Sequence, residues 1–182
     1  MTKSLIVSKH SPIIHHGFFV EDAKDFAQKH HDLFGSGPFV VLENTQADVT
    51  FRGEHSITDI TIVTGWWKES AVEIIQQHSD NASYLNENGR YGFHHIDIFV
   101  EDVEAACKEF EAFGNSIQMY NFELEGFPFA YIDARDTLGF YIEVNQSMDF
   151  MSGLAKQLAV GWDGETDLFR PMEEVMKALN PQ

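Results

Sequence analysis

The order of apolar and polar residues repeats along the chain with an offset of eighty positions. Residues 15–22 read HHGFFVED and residues 95–102 read HIDIFVED, with the same residue at five of the eight positions. In each copy a segment with apolar residues at helical spacing follows, and this segment ends at a glycine. The residue before it is an aspartate, Asp22 or Asp102, which is a preferred N-cap. Each copy is therefore predicted to open with a strand, a capped helix and a glycine stop.

The two copies also end alike. Residues 71–76 read AVEIIQ and residues 141–146 read YIEVNQ, so each copy closes with a short strand that carries one glutamate among apolar residues. Further strand-like runs lie between the helix and this last strand, at residues 39–42, 57–64, 117–122 and 130–133. The predicted fold class is α+β, with the order β-α-β-β-β occurring twice.

The repeat divides the chain into three parts. Residues 10–80 form the first predicted module and residues 90–147 the second, with the polar, turn-rich stretch NASYLNENG between them. Residues 148–182 lie outside the repeat and are predicted to form a C-terminal helical tail. One helix of this tail has an apolar face made of Met172, Val175, Met176 and Leu179. The pattern does not distinguish packing against the modules from packing against a partner chain.

Strand alternation separates two pairs of adjacent histidines. In the first strand of each module, one set of alternate positions is apolar and suits packing against the helix. The other set contains His15 in the first module and His95 in the second. By the same alternation, the neighbouring His16 and His94 are predicted to face the helix side. His15 and His95 are therefore the candidates for an inward-facing site.

The closing strands add one glutamate each, Glu73 and Glu143, at equivalent positions of the repeat. A glutamate among apolar residues needs a partner, because an unpaired buried charge is very costly. Two interpretations are open at this point: hydrogen-bonded His–Glu pairs within a core, or ligands of a metal ion. Imidazole and carboxylate groups together suit zinc, nickel, cobalt, iron or manganese.

Charge and composition narrow the class of partner. The 182 residues carry a formal net charge of −17, which disfavours nucleic acids and anionic membrane surfaces. The start of the chain lacks the apolar run of a signal peptide, and no stretch approaches the roughly 20 apolar residues of a membrane span. A cytoplasmic protein is therefore expected. The single cysteine, Cys107, excludes an internal disulfide.

The ordered motifs resemble the vicinal oxygen chelate superfamily, which includes glyoxalase I, methylmalonyl-CoA epimerase, extradiol dioxygenases and bleomycin-resistance proteins. The glyoxalase-like branch is the most similar. The resemblance covers about residues 10–147, and no single stretch is specific, but their order is. The stretches that carry it are IIHHGFFVEDAKDF, LFGSGPFVV, SAVEIIQQHSDNASYL, GFHHIDIFVEDVEAA and GFYIEVNQ.

The resemblance implies two βαβββ modules whose sheets curl around one metal site. A histidine from the first strand and a carboxylate from the last strand of each module bind the ion, so the implied ligands are His15, Glu73, His95 and Glu143. The resemblance further implies that this divalent ion, either zinc, nickel, cobalt, manganese or iron, would bind oxygen atoms of the substrate and stabilise negative charge on them. A ligating glutamate would then move the proton. Glu143 is the first candidate for this catalytic base and Glu73 is the second.

The predicted function is a metal-dependent isomerase, lyase or epimerase of the glyoxalase type. The first alternative is an iron-dependent extradiol dioxygenase. Members of that class need two histidines and one carboxylate, so Glu73 would be an additional ligand. The second alternative is a metal-free small-molecule-binding protein of the resistance type, and such proteins generally lack the ligand set.

The substrate is expected to be a small apolar or aromatic molecule. Glutathione and coenzyme A conjugates are disfavoured by the negative charge and by the scarcity of arginine in the modules. The module arginines are Arg52, Arg90 and Arg135. The 16 phenylalanines, with Trp66, Trp67 and Tyr131, suit an apolar or aromatic ligand. The alternative for the two tryptophans is an exposed hairpin tip. A homodimer is expected, and whether the modules pair within one chain or between two is left open.

Overall fold

The computed structural model describes residues 11–123, 127–146 and 150–179. The start of the chain, on which the expected lack of a signal peptide depends, lies outside these ranges, as do both ends of the predicted tail. Within them the longest helix has 12 residues. No helix of the described ranges combines the length and the apolar character that a membrane span requires.

Both modules contain their elements in the predicted order. The first consists of β1 (Ile13–Val20), α1 (Ala23–Phe34), β2 (Phe39–Phe51), β3 (Glu54–Trp67) and β4 (Ser70–Gln77). The second adds one short helix and consists of β5 (Gly92–Phe99), α2 (Val103–Ala112), β6 (Ser116–Asn121), β7 (Phe129–Asp133), α3 (Arg135–Leu138) and β8 (Tyr141–Asn145). The α+β class and the double β-α-β-β-β order are confirmed.

The two main helices begin at the aspartates that the sequence singled out. The side chain of Asp22 accepts a hydrogen bond from the backbone N–H of Asp25, and that of Asp102 accepts one from Ala105. Each bond satisfies a backbone donor that has no partner within the helix. Helix α1 ends at Gly35, whose φ of 67° lies in the left-handed region where glycine carries no steric penalty.

Strands β2 and β3 are much longer than the apolar runs that predicted them, with 13 and 14 residues. They pair as an antiparallel hairpin whose turn, Arg52-Gly53, has positive φ at both positions. The middle of β2 is polar and mostly exposed, so the pattern of apolar residues does not identify it as part of a strand. Hydrogen bonds to β3 extend β2 beyond its apolar part. The predicted strands at residues 39–42 and 57–64 were therefore too short.

The sheet closes on itself within one chain. Its order is β3-β4-β1-β5-β8-β7-β6-β2-β9, and β2 also pairs with β3, so eight strands form a ring with β9 (Phe169–Pro171) attached to β2. The seam between the modules is the antiparallel pair β1–β5. The question of whether the modules join within or between chains is therefore answered for this structure: they join within the chain.

The alternation along the strands produces an inner and an outer apolar layer. Helix α2 covers the outer face of the second module, and α1 covers that of the first. The inner face holds a separate cluster of buried residues that includes Phe19, Ile75 and Tyr131. In β4, Val72 and Ile74 face outwards while Ile75 faces inwards, as strand alternation predicts. The inner layer surrounds the candidate site.

The tail packs against the first module. Helix α4 (Phe150–Ala159) contacts β2, β3 and β4, and helix α5 (Met172–Leu179) contacts β2 and β9. Val175 of α5 and Leu154 of α4 share a buried cluster with Val40 of β2. Met172 and Met176 of the predicted apolar face pack against the same cluster, whereas Leu179 is 41% exposed. Helix α4 and strand β9 had not been predicted.

Candidate metal centre

Four adjacent strands at the seam each contribute one of the four candidate ligands to the inner face. The strands are β4, β1, β5 and β8, and the pairs β1–β4 and β5–β8 are parallel. Gly17 of β1 lies opposite both Glu73 and His95, and Asp97 of β5 lies opposite Glu143. This register brings the last strand of each module beside its first strand, and the seam then places the two modules side by side.

The structure brings together the two histidines and two glutamates that the sequence singled out. One ligand atom from each of His15, Glu73, His95 and Glu143 lies within 4.8 Å of the others. The Nε2 atoms of His15 and His95 are 2.9 Å apart. Oε2 of Glu143 lies 3.2 Å from each of them. Oε2 of Glu73 lies 3.5 Å from the first and 3.4 Å from the second.

These separations fit a single bound ion. Ligands held at about 2.0–2.2 Å from one ion lie roughly 3–3.5 Å from their neighbours in a tetrahedral or octahedral arrangement. The donor set of two imidazole nitrogens and two carboxylate oxygens suits zinc, nickel, cobalt, manganese or iron. The four side chains, all of them buried, could therefore hold a divalent ion without rearrangement of the strands.

The electrostatics of the site favour positive charge between the two rings. Burial alone would raise the pKa of the Glu143 carboxyl, but hydrogen bonds and charge interactions with His15 and His95 outweigh it and hold this pKa well below its ordinary value. Burial likewise opposes protonation of His95, but Glu143 and Glu73 outweigh it and raise the pKa of His95. A site that stabilises a proton between these groups also attracts a cation.

Asp97 lies beside His15 on the side of the ring that faces away from the metal centre. This aspartate is fully buried, and its Oδ2 lies 3.5 Å from Nδ1 of His15. A carboxylate beside Nδ1 favours the proton on that nitrogen and leaves Nε2 with the lone pair that faces the site. Strand alternation places Asp97 on the same face as His95, but this position had been given no role. The sequence did contain a signal for this role, because Asp97 follows the candidate ligand His95 by two residues and therefore lies on the same face of β5.

His94 does not lie where strand alternation predicted. The register between β1 and β5 shifts between Gly17 and Phe18, so that His94 is an extra residue of β5 opposite this step. Such a bulge re-aims a side chain. The His94 ring is buried among Tyr84, Tyr131 and Tyr141, next to His95 rather than against the helix. Burial lowers the pKa of His94 to about 3, so the ring is neutral.

Gly17 is a further residue that the sequence prediction missed. A Cβ at this position would overlap the ring atoms of His95, because the imidazole lies directly over the glycine backbone. The absence of a side chain at Gly17 therefore provides the space in which His95 points towards the site. A glycine inside a strand is a known sign of such close approach, so the HHGF motif of β1 contained this signal.

An apolar cavity of about 340 Å³ opens from the candidate metal centre. His15, Glu73 and Glu143 form its polar end together with Tyr131. The remaining walls are mostly apolar, and the tail contributes two of the lining residues. The wall residues are Leu42, Thr45, Gln46, Ala47, Ile60, Ile62, Ile75, Tyr84, Phe127, Phe129, Asn145, Phe150 and Met151. A cavity of this size accommodates a small organic molecule.

Trp66 and Trp67 do not line this cavity. They lie at the end of β3, next to the turn into β4, as the hairpin-tip interpretation predicts, but both are half-buried rather than exposed. They are not among the described residues that line this cavity. Trp67 packs with His30 and Phe34 of α1 on the outer face. Tyr131, which the sequence grouped with the tryptophans, does lie in the cavity.

The fold and the four converging side chains define a protein with two βαβββ modules and a candidate divalent-metal centre at their seam. Residues 14–131 match the family model described as the Glyoxalase/Bleomycin resistance protein/Dioxygenase superfamily. Because this match covers most of the chain, the protein belongs to that superfamily, and the resemblance found in the sequence is confirmed. The matched range includes His15, Glu73 and His95 and ends before Glu143.

Solved structures resemble this chain at low sequence identity. A hypothetical protein from Bacillus halodurans C-125 is 19% identical with a TM-score of 0.55, over 76% of this chain and 96% of that chain. Methylmalonyl-CoA epimerase from Mycobacterium tuberculosis is 14% identical with a TM-score of 0.48, over 74% and 86%. A variant of the Streptomyces coelicolor epimerase, in complex with 2-nitronate-propionyl-CoA, is 14% identical with a TM-score of 0.46, over 78% and 97%. No curated protein sequence matches significantly.

Proposed function

We propose that the protein is a metal-dependent isomerase, lyase or epimerase that moves a proton on a small oxygenated substrate. The observation that supports this proposal is the convergence of two imidazoles and two carboxylates at the end of an apolar cavity. His15, Glu73, His95 and Glu143 would hold one divalent ion, either zinc, nickel, cobalt, manganese or iron. Such an ion supplies Lewis-acid chemistry, which stabilises negative charge on a substrate oxygen.

Glu143 is our first candidate for the catalytic base, and Glu73 is the second. Both carboxylates line the cavity, as a base must in order to reach a C–H bond of a bound molecule. Glu143 also interacts with the hydroxyl of Tyr131. A proton accepted by the Glu143 carboxylate would therefore lie beside this hydroxyl. This neighbour supports the choice of Glu143 over Glu73.

The variant Glu143→Gln is expected to lower proton transfer by about 10²–10⁴-fold, because glutamine keeps an oxygen near the ion but accepts no proton. Glu73→Gln is expected to lower it by only about tenfold. The measurement is exchange of the C–H protons of 2-hydroxyacetophenone in D2O, followed by proton NMR, with the metal content of each variant measured in parallel. A larger loss in Glu73→Gln at equal metal content would reverse the two assignments.

Tyr131 is placed to donate a hydrogen bond to a substrate oxygen. Its hydroxyl lies 3.3 Å from Nε2 of His95 at the polar end of the cavity. Burial raises the pKa of Tyr131 well above its ordinary value, and the charges of Glu143 and Glu73 add to the effect. The hydroxyl therefore keeps its proton at neutral pH and serves as a donor.

Changing Tyr131 to Phe is expected to lower the exchange rate by about 10²–10³-fold, the usual cost of removing a donor that faces developing negative charge. The metal content should stay at the wild-type level, since the phenol is not one of the four proposed ligands. Elemental analysis and the D2O exchange assay on the same preparation test both parts. A parallel loss of metal and rate would instead assign Tyr131 to the metal centre itself.

The cavity supports an uncharged apolar or aromatic substrate. None of the described residues that line it is lysine or arginine, whereas two acidic residues, Glu73 and Glu143, line its polar end. The module arginines make contacts elsewhere: Arg52 with Glu87, Arg135 with Asp133 and Glu87, and Arg90 with the carbonyl of Gly139. A multiply charged conjugate would therefore meet like charge without a compensating cation at the polar end of the cavity.

Elemental analysis of the untagged protein, dialysed against metal-free buffer, tests the proposed function first. About one equivalent of zinc, nickel, cobalt or manganese would support it. Bound iron together with oxygen uptake on catechols would identify the dioxygenase alternative. A protein that takes up no divalent ion but binds apolar drugs tightly would identify the metal-free alternative.

The homodimer and the cytoplasmic location stay predictions, which light scattering and cell fractionation would check.

A further inference from the structure

We propose that His94 is a positioning residue, which holds the ring of His95 in the one tautomer that presents the Nε2 lone pair to the metal centre. The inference rests on the proposed function in so far as that function makes His95 a metal ligand. The hydrogen-bond chain itself stands on the geometry of the protein alone.

The bulge in β5 places the two histidine rings side by side. Nδ1 of His94 lies 3.0 Å from Nδ1 of His95, and Nε2 of His94 lies 3.0 Å from the backbone carbonyl oxygen of Tyr84. In a regular strand, adjacent side chains point to opposite faces and this contact could not form. The extra residue in β5 is therefore what allows one histidine to support the next.

The carbonyl of Tyr84 decides which nitrogen carries each proton. A carbonyl oxygen only accepts, so Nε2 of His94 must be the N–H that donates to it. A neutral imidazole has a single N–H, and Nδ1 of His94 is consequently an acceptor. The proton between the two rings then belongs to Nδ1 of His95, which donates to His94. When the His95 ring is neutral, its Nε2 is therefore left with a lone pair directed at the metal centre.

Packing holds the His94 ring in this orientation. The ring centroid lies 4.9 Å from that of Tyr141 and 6.0 Å from that of Tyr131. Both tyrosine side chains are buried, and the hydroxyl of Tyr141 donates to Glu87. Because His94 itself is 2% exposed, water does not compete for either of its nitrogens. The donor and acceptor of His94 are thus fixed by the surrounding protein.

The two proposed histidine ligands are supported by different groups. His15 has a carboxylate, Asp97, near its Nδ1, whereas His95 has the neutral ring of His94. Both arrangements favour the proton on Nδ1 and a lone pair on Nε2. With both Nε2 atoms deprotonated, two lone pairs would lie 2.9 Å apart beside two carboxylate oxygens. Such a cluster of electron pairs is stabilised by a cation, which links the tautomer to metal affinity.

The variant His94→Leu removes the acceptor for His95 and is expected to weaken zinc binding about 10–100-fold, the usual effect of losing a group that orients a histidine ligand. His94→Asn places its side-chain carbonyl oxygen close to the position of Nδ1 and is expected to stay within about fivefold of the wild-type affinity. The affinity for zinc is measured by competition with a chromophoric chelator at a temperature where all variants are folded.

His30→Leu is the matched control. His30 is also buried and hydrogen-bonded through Nδ1, to the hydroxyl of Ser36, but it lies on α1 outside the barrel. It should lose stability as His94→Leu does and keep the wild-type affinity for zinc. This comparison separates a general loss of stability from a specific effect on His95.

A second measurement addresses the tautomer directly. Nitrogen-15 NMR of the metal-free protein labelled at histidine is recorded at a pH high enough to leave His95 neutral despite its raised pKa. The spectrum should show the proton of His95 on Nδ1, and His94→Leu should shift His95 towards a mixture of tautomers. Wild-type zinc affinity in His94→Leu, or a neutral His95 ring that carries its proton on Nε2 in the wild-type protein, would overturn the inference. Lack of metal binding by the wild-type protein would contradict the proposed function, and the NMR tautomer would then decide this inference alone.

Discussion

Replacing His95 with alanine is expected to lower the affinity for a divalent ion by about 10²–10³-fold. A four-ligand protein site binds zinc with roughly 10–16 kcal/mol, so one of four ligands contributes about 2.5–4 kcal/mol. The loss also leaves Glu73 and Glu143 facing a single imidazole, and two buried carboxylates then repel each other with less compensation. The protein should therefore lose its metal on dialysis.

The matched control for this variant is His55→Ala. His55 is an exposed histidine of β3 that pairs with Asp48 across the hairpin, away from the seam. Its replacement should leave the metal content at about one equivalent. Elemental analysis after dialysis and a zinc competition assay measure the two variants side by side. Retention of tightly bound metal by His95→Ala would show that the ligand assignment is wrong.

Changing Gly17 to alanine is expected to disrupt the site nearly as strongly, although the glycine has no side chain to bind anything. The new methyl group would occupy the space of the His95 imidazole, so the ring must turn away or the seam between β1 and β5 must shift. We expect a loss of about 1–3 kcal/mol in the free energy of unfolding from overpacking. We also expect metal binding about 10²-fold weaker, because a displaced ring no longer meets the other ligands.

Two glycine variants serve as controls for Gly17→Ala. Gly153 lies inside α4 with open space around it, so Gly153→Ala should raise stability by about 0.5–1 kcal/mol. Gly65 lies on β3, where a Cβ would overlap the buried ring of Phe39 on the outer face of the sheet. Gly65→Ala should therefore destabilise the fold and keep the metal. Thermal unfolding and zinc affinity together separate the three variants, and Gly17→Ala with wild-type affinity would contradict the role assigned to Gly17.

The sequence alone was sufficient for the β-α-β-β-β order of the two modules and for the four residues that meet at the seam. Helix caps such as Asp22 and Asp102 act on neighbouring backbone groups, and strand alternation depends on residues two positions apart. Both are local properties, so a linear pattern records them. The repeat supplied each pattern twice, which allowed Glu73 and Glu143 to be matched although they lie far apart in the chain. Their role as metal ligands stays a prediction.

Local patterns failed where pairing between strands changed the direction of a side chain. His94 would face the helix in a regular strand, but the bulge opposite Gly17 turns its ring towards His95. The bulge depends on the register between β1 and β5, which involves residues some eighty positions away. The polar middle of β2 was missed for a similar reason, because its strand conformation is stabilised by hydrogen bonds to β3.

Only the tertiary structure decided how the modules close and what forms the cavity. The pairing of β2 with β6 completes the ring of strands, and α4 supplies Phe150 and Met151 to the cavity wall. The sequence pattern of the apolar face of α5 is the same whether the helix packs against its own chain or against another chain. An amphipathic pattern records that a face is buried but not against which surface, because the surface is assembled from distant parts of the chain.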